Sequence, residues 1–154
     1  MKTTSKWMHE NQFIIDNDRN FLIAVTDPCG NPKFGDPTSW DLLLMGFSGC
    51  VSSEFLKIAN KKNLHFSDLI TEINVNTKFQ KEHFSFIVEL NINTSAPKHL
   101  IQECLDIAIS HCPLGIFTSN SSIPIFTKII TENTKSNIDN NTVQYNNIKK
   151  QFLQ

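Results

Sequence analysis

Four cysteines carry the most reactive side chains of this 154-residue chain: Cys29, Cys50, Cys104 and Cys112. A thiolate can act as nucleophile, metal ligand or half of a disulfide, so the spacing of the four limits the chemistry available. No two form a C-x-x-C pair, which argues against a zinc ribbon and against a thioredoxin-type dithiol. The histidines (His9, His65, His83, His99 and His111) are scattered and make no H-E-x-x-H motif. Free cysteine also behaves as a small buried hydrophobe, and that inert role is the default for each of the four. Cys104 fits it well, midway along an Ile/Leu stripe, and Cys29 stands in a loop with no evident partner. Cys50 and Cys112 stand apart as a combination. Small residues surround Cys50 (Gly46, Ser48, Gly49, Ser52 and Ser53), which leaves room around a sulfur, and Cys112 ends a helical pattern just before Pro113. Two helices packed face to face could bring these sulfurs together. A disulfide needs Cα atoms about 4.4–6.8 Å apart, which spacing along the chain does not decide.

The elements that must position these residues are readable from hydrophobic periodicity. "FLIAV" (Phe21 to Val25) alternates as a strand, with "NQFII" before it pairing through the turn "DNDRN". "TDPCGNPKFGDPTS" (Thr26 to Ser39) is dense in Pro, Gly, Asp and Asn and reads as a loop. A helix follows. Thr38 and Asp41 match the S/T-x-x-D/E capping box, and "WDLLLMGFSGC" is apolar nearly all round, the pattern of a helix covered on most sides. Gly46 and Gly49 each weaken it by about 1 kcal/mol against Ala, which makes sense where another backbone or a ligand comes close. Ile73, Val75, Thr77 and Phe79, then Phe84, Phe86, Val88, Leu90 and Ile92, form a hairpin around the turn "QKEH". A second helix begins near Ser95 to Pro97 and carries Ile101, Cys104, Leu105, Ala108 and Cys112 on one stripe until Pro113 disturbs it. "IPIFTKII" is a last strand. The order predicts an α+β domain over residues 1–132, two main helices covering antiparallel sheet, and a polar, Asn-rich tail over 133–154.

Composition narrows the setting. The formal net charge is -1, so no strong field calls for nucleic acid or a membrane surface as partner. The polar start "MKTTSKWMHENQ" lacks a signal-peptide core, and no later segment is expected to reach the roughly 18 apolar residues a spanning helix needs. The expectation is a soluble, cytoplasmic protein, in which a disulfide would be transient rather than structural.

Two motifs then resemble a known family. "DPTSWDLLLMGFSGC" looks like the signature of the OsmC/Ohr family, Pro-x-(Pro/Ser)-x-(Glu)-Leu-Leu followed by small or apolar residues and Cys. "HCPLGIF" resembles its second motif, a Cys-Pro pair followed by an aliphatic residue. The resemblance runs from about Trp7 to Glu132 and is nearer to the less-characterised OsmC-like branch than to Ohr proper. It implies an intertwined homodimer with two sites at the subunit interface and no bound metal or cofactor. It also implies a mechanism. Cys50 would be the peroxidatic thiolate that attacks an organic hydroperoxide or H2O2, Cys112 would resolve the sulfenic acid as a disulfide, and an external dithiol, often lipoyl-based, would restore both thiols.

The match is uneven around the thiol. Peroxidatic members hold the cysteine with an arginine from the N-terminal β region and a glutamate ten residues before it. Trp40 occupies that glutamate position here, and Asp41, nine residues before Cys50, is the candidate acid, as in many less-characterised relatives. Asp41 could equally serve as the capping-box acid alone. Arg19, the single arginine, sits in the turn "DNDRN", where solvation is the default, and Lys33 is an alternative cation. Glu54 follows Cys50 by one helical turn, where a like charge would raise a thiolate's pKa. Trp7 and Trp40 read as core or dimer-interface anchors, Phe84 and Phe86 as sheet core, and His111 as a helix-end residue beside Cys112. Three functions remain in play: a cysteine-based hydroperoxide reductase, a non-catalytic OsmC-like dimer binding a small apolar ligand in stress physiology, and reduction of another electrophile by the same cysteine pair.

Overall fold

A computed structural model describes residues 3–9, 12–17, 19, 21–26, 37–79 and 83–131. Cys29, Lys33, the middle of the loop after Thr26, the turn residues 80–82 and the tail from 132 lie outside the described residues. The chain divides into two compact units, Met1–Cys50 and Val51–Gln154.

The first unit is built on a three-stranded meander of β1 (Thr4–His9), β2 (Gln12–Asp16) and β3 (Leu22–Thr26). The expected hairpin of β2 and β3 is present, with Phe13 opposite Val25 and Ile15 opposite Ile23. β1, which the polar N-terminus concealed, adds antiparallel to β2 with Trp7 opposite Phe13. The β2–β3 turn is held by one side chain. Asn17 Oδ1 accepts from the backbone N–H of Arg19 at 2.9 Å and of Phe21 at 3.3 Å. An Asn that mimics a backbone turn in this way is the usual reason the residue stands there.

Helix α1 (Ser39–Lys61) begins in the first unit and ends in the second. Its start is the predicted capping box. Thr38 Oγ1 accepts from the Asp41 N–H at 3.2 Å, and Asp41 Oδ2 accepts from the Thr38 N–H at 2.8 Å and from its hydroxyl at 2.7 Å. Two N–H groups that the helix itself leaves unpartnered are thereby satisfied. Phe47, Val51, Phe55, Ile58 and Ala59 fall on one face at the helical repeat, and all are buried. Leu43, Gly46, Gly49, Ser53 and Leu56 follow one another on the exposed side. Among the described residues α1 is the one helix that, by length and composition, could cross a membrane. This corrects the expectation that no segment is long and apolar enough to span: Gly and Ser interrupt the apolar residues of α1 without lowering its mean hydropathy below that of a span. The core helix of a soluble fold has the same composition.

The second unit contains the hairpin of β4 (Asp68–Phe79) and β5 (His83–Asn93), with Ile73 opposite Val88 and Val75 opposite Phe86. β6 (Ile125–Thr131) joins the other edge of β5, parallel rather than antiparallel. The sheets are thus mostly antiparallel, with this one exception. A parallel neighbour needs a crossover of a dozen or more residues, and α2 (Lys98–His111) with α3 (Pro113–Asn120) supplies it. The central strand β5 carries the core: Phe86, Val88, Leu90 and Ile92 are all buried, as period-two alternation predicted. The α2 stripe of Ile101, Cys104, Leu105, Ala108 and Cys112 is fully enclosed.

Pro113 does more than disturb a helix. It stands at the first position of α3, where its missing N–H costs nothing, and the chain bends by 79° between α2 and α3. Gly115 lets the two helix ends close. A Cβ there would lie 2.0 Å from the Ile109 carbonyl oxygen, which is backbone and cannot swing away.

Two measurements follow from these elements. Gly115→Ala is expected to destabilise the fold by at least about 1–3 kcal/mol, the usual cost of overpacking, read as a lower urea midpoint. Thr38→Ala is expected to cost about 1 kcal/mol at neutral pH through loss of the cap. The Thr38 hydrogen bonds hold the Asp41 carboxyl below its ordinary value of 3.8, so its stabilisation is complete above that value and fades as pH falls through the depressed one. The Thr38→Ala penalty should therefore shrink in acid. A penalty that is flat from pH 7 to pH 2 would contradict the cap's contribution.

Candidate functional site

Cys50 occupies a boundary on α1. Phe47 and Val51 beside it belong to the buried stripe, while Gly46, Gly49 and Ser53 are exposed, and the thiol residue itself is half-buried. A helix turns about 100° per residue, so the small residues before and after Cys50 line its open side. Space there is real in this chain: a Cβ on Gly49 would meet no heavy atom within 4 Å. The glycine is therefore not required by the packing of this chain on itself.

Cys112 sits at the corner between α2 and α3. It closes α2, its N–H donating to the Ala108 carbonyl at 2.9 Å, and it opens α3, its carbonyl accepting from Ile116 N–H at 2.9 Å. Its side chain is fully buried. Cys50, Cys104 and Cys112 are all outside any disulfide. Cys104 is fully buried as well, and burial pushes its thiol above the ordinary range, the behaviour of an inert core cysteine.

The candidate charged partners of Cys50 are placed as follows. Asp41 is committed to Thr38 through the capping box. Nine residues of helix separate it from Cys50, roughly 13.5 Å of rise and about two and a half turns, so the two point from opposite sides of α1. Arg19 is exposed at the bend between β2 and β3. Glu54 is tied to Lys57, with Nζ 2.6 Å from Oε1, which offsets the negative charge one turn beyond Cys50. Trp7 is 61 % exposed and Trp40 is 40 % exposed, so neither is a core anchor of the single chain. Phe84 meets Phe86 edge-on at 5.7 Å, as sheet packing predicted.

The sequence names Gly115 and Ser52 within the motif segments but does not disclose the contacts they make. Gly115 accepts Thr118 Oγ1 at 2.9 Å and Ser119 Oγ at 2.8 Å on its carbonyl, and it sets the corner that holds Cys112. The signal was available: it is the glycine of "HCPLG". Ser52, on the turn after Cys50, donates its hydroxyl to Thr71 Oγ1 at 2.8 Å on β4. Among the described residues no cluster of His, Cys, Asp and Glu could hold a metal ion.

Comparison with known proteins places this arrangement. The profile of the OsmC-like protein family matches residues 30–128, which include both cysteines. No curated protein sequence matches the chain. Among solved structures, an OsmC-like protein from Mycoplasma pneumoniae is similar with a TM-score of 0.70 at 17% identity, over 84% of this chain and 95% of that one. The organic hydroperoxide resistance protein OhrB of Bacillus subtilis is similar with a TM-score of 0.59 at 16% identity, over 84% and 96% of the two chains. An organic hydroperoxide resistance protein OsmC from Legionella pneumophila gives 0.64 at 15%, over 84% and 96%. Identities this low speak to the shared α+β fold. With a family profile spanning most of the chain and the two cysteine motifs inside it, the protein belongs to the OsmC-like family.

Proposed function

We propose that the protein is a thiol-dependent peroxidase that reduces organic hydroperoxides, or H2O2, through Cys50 and Cys112. The observation that carries the reading is the placement of Cys50, half-buried and beside an open, small-residue side of α1, within a family match that also spans Cys112. The similarity in fold to organic hydroperoxide resistance proteins supports the choice of substrate class.

The chemistry balances without a bound cofactor. The Cys50 thiolate attacks the distal peroxide oxygen, the O–O bond breaks, and a proton converts the departing alkoxide to alcohol, leaving Cys50 as sulfenic acid. The Cys112 thiol then attacks that sulfur and expels water, forming a disulfide. An external dithiol reduces this bond and is itself oxidised to a disulfide. A free thiol has a pKa near 8.5, and each unit of lowering requires about 1.4 kcal/mol of preferential stabilisation of the anion. In this reading Cys112 also has to leave its buried corner at the 79° break between α2 and α3, as a local opening.

The working unit in this reading is a homodimer. Just 28 % of the apolar α1 window is buried by the chain itself, and Trp40, Leu43 and Met45 are exposed. Helix geometry keeps Asp41 away from the Cys50 of its own chain, so a direct role for Asp41 would act across copies. The second reading, a non-catalytic dimer that holds a small apolar ligand, draws on the same facts: Asp41 is occupied in the cap and Arg19 is solvated.

The two readings separate on one experiment. Reduced protein treated with one equivalent of cumene hydroperoxide should lose two thiols within seconds to minutes, whereas loss over hours would favour the non-catalytic dimer. Cys50→Ser should abolish turnover, and Cys112→Ser should permit a single turnover with Cys50 then open to over-oxidation. The dimer is tested at Gly49. Helix propensity and the empty space around it favour Ala by about 1 kcal/mol in an isolated chain. If a second copy packs there, Gly49→Ala should instead weaken association in sedimentation experiments, and a stabilised, unchanged dimer would rule out that face.

A further inference from the structure

An open groove of about 370 Å³, with Asp106, Ser110 and Ser119 exposed along it, lies in the second unit between α2, α3 and β6, and no residue of either cysteine motif lines it. That volume is at the lower end of the range for small-molecule sites. Its polar lining is Asp106 and Ser110 of α2, Ser119 of α3 and Thr127 of β6, and three isoleucines supply the apolar wall.

The hydrogen-bond inventory of the four polar groups is one-sided. Ser110 gives its hydroxyl proton to the Ile107 carbonyl at 2.8 Å, and Ser119 gives its own to the Gly115 carbonyl at 2.8 Å. Both oxygens are then left to act as acceptors. Gln102 Nε2 donates to Asp106 Oδ1 at 2.8 Å and to Thr127 Oγ1 at 3.0 Å, which fixes those two side chains side by side. Asp106 keeps its second oxygen, and an ionised carboxylate accepts and does not donate. The Thr127 hydroxyl is the one remaining side-chain donor. Among the described residues no lysine, arginine or histidine lines the groove. The basic residue of β6, Lys128, is instead held by Glu89 of β5 at 2.7 Å.

We propose that this groove binds a primary alkylammonium group, its three N–H donors directed to Asp106 and the serine oxygens and its short carbon chain against the isoleucines. An ammonium supplies donors without acceptors, which is the complement of this lining. A neutral alcohol of the same length would offer one donor and lack the charge-assisted bond to Asp106. Water satisfies the same oxygens one at a time, so dependence on ligand charge is the discriminating property. The group can come from a free small amine or from a lysine side chain.

The test is titration of the full-length protein, followed by amide NMR shifts, with n-butylammonium, with n-butanol and with Nα-acetyl-lysine N-methylamide. Saturable shifts confined to residues 102–110 and 118–128 are expected with an ammonium ligand, at least about tenfold weaker with n-butanol and in the Asp106→Asn variant. Glu72→Gln, which removes an exposed negative charge on β4, should bind as the wild type does and so excludes a general charge effect. Tighter binding of the lysine amide than of butylammonium assigns the site to a peptide lysine, and the reverse order to a free amine. Non-saturating shifts with both ammonium ligands, or undiminished binding by Asp106→Asn, would overturn the proposal. The peroxidase assay is independent of this groove, so failure of either reading leaves the other standing.

Discussion

The rotation of one helix by about 100° per residue is the constraint on which the rest of the structure depends. Along α1 it sends Phe47, Val51, Phe55, Ile58 and Ala59 to one side, where water is excluded, and the glycines and Ser53 to the other. Burying side chains of this size is worth roughly 1.5–3 kcal/mol each, so the helix cannot roll about its axis without a large loss. Cys50 is thereby pinned at the border between the two faces. It is neither enclosed with the core residues nor fully exposed with the glycines. The same rotation places Asp41 on the far side, where the capping box holds it.

The second sulfur is governed by a different device. A proline without an N–H and a glycine without a Cβ turn the chain through a sharp angle directly after α2, and Cys112 is the residue at the corner. Its position is rigid because the Ala108 carbonyl and the Ile116 N–H bond to its backbone from both sides. In the proposed reading the buried Cys112 thiol becomes a reactant only when that corner opens.

Much of this was legible in the chain because local patterns decided it. The capping box of Thr38 and Asp41, the stripe from Ile101 to Cys112 and the alternation from Phe84 to Ile92 each depend on neighbours within a turn or a strand, and each appears as read. Three features were not legible for reasons that are equally physical. β1 is exposed and its two large apolar residues, Trp7 and Met8, are adjacent rather than alternating, so its pairing with β2 leaves no period-two signature. The parallel direction of β6 depends on a crossover whose length spans two helices, beyond any local signal. The exposure of Trp7 and Trp40 is a property of the surface each chain presents, and aromatic content alone does not distinguish an anchor for a partner from one for a core. The candidate site divides along the same line: the two cysteines stood out by their surroundings, whereas the company kept by Arg19 and Asp41 is a matter of three-dimensional geometry.

The central claim is that Cys50 and Cys112 form one redox couple. It is tested most directly by peptide mapping of the protein after a single equivalent of an organic hydroperoxide, quenched by acid so that thiols do not exchange. The account predicts one dominant cross-linked species joining the peptide of Cys50 to that of Cys112, with Cys104 still a thiol. Oxidised protein in which Cys50 is intact, or is paired mainly with Cys29 or Cys104, would contradict it.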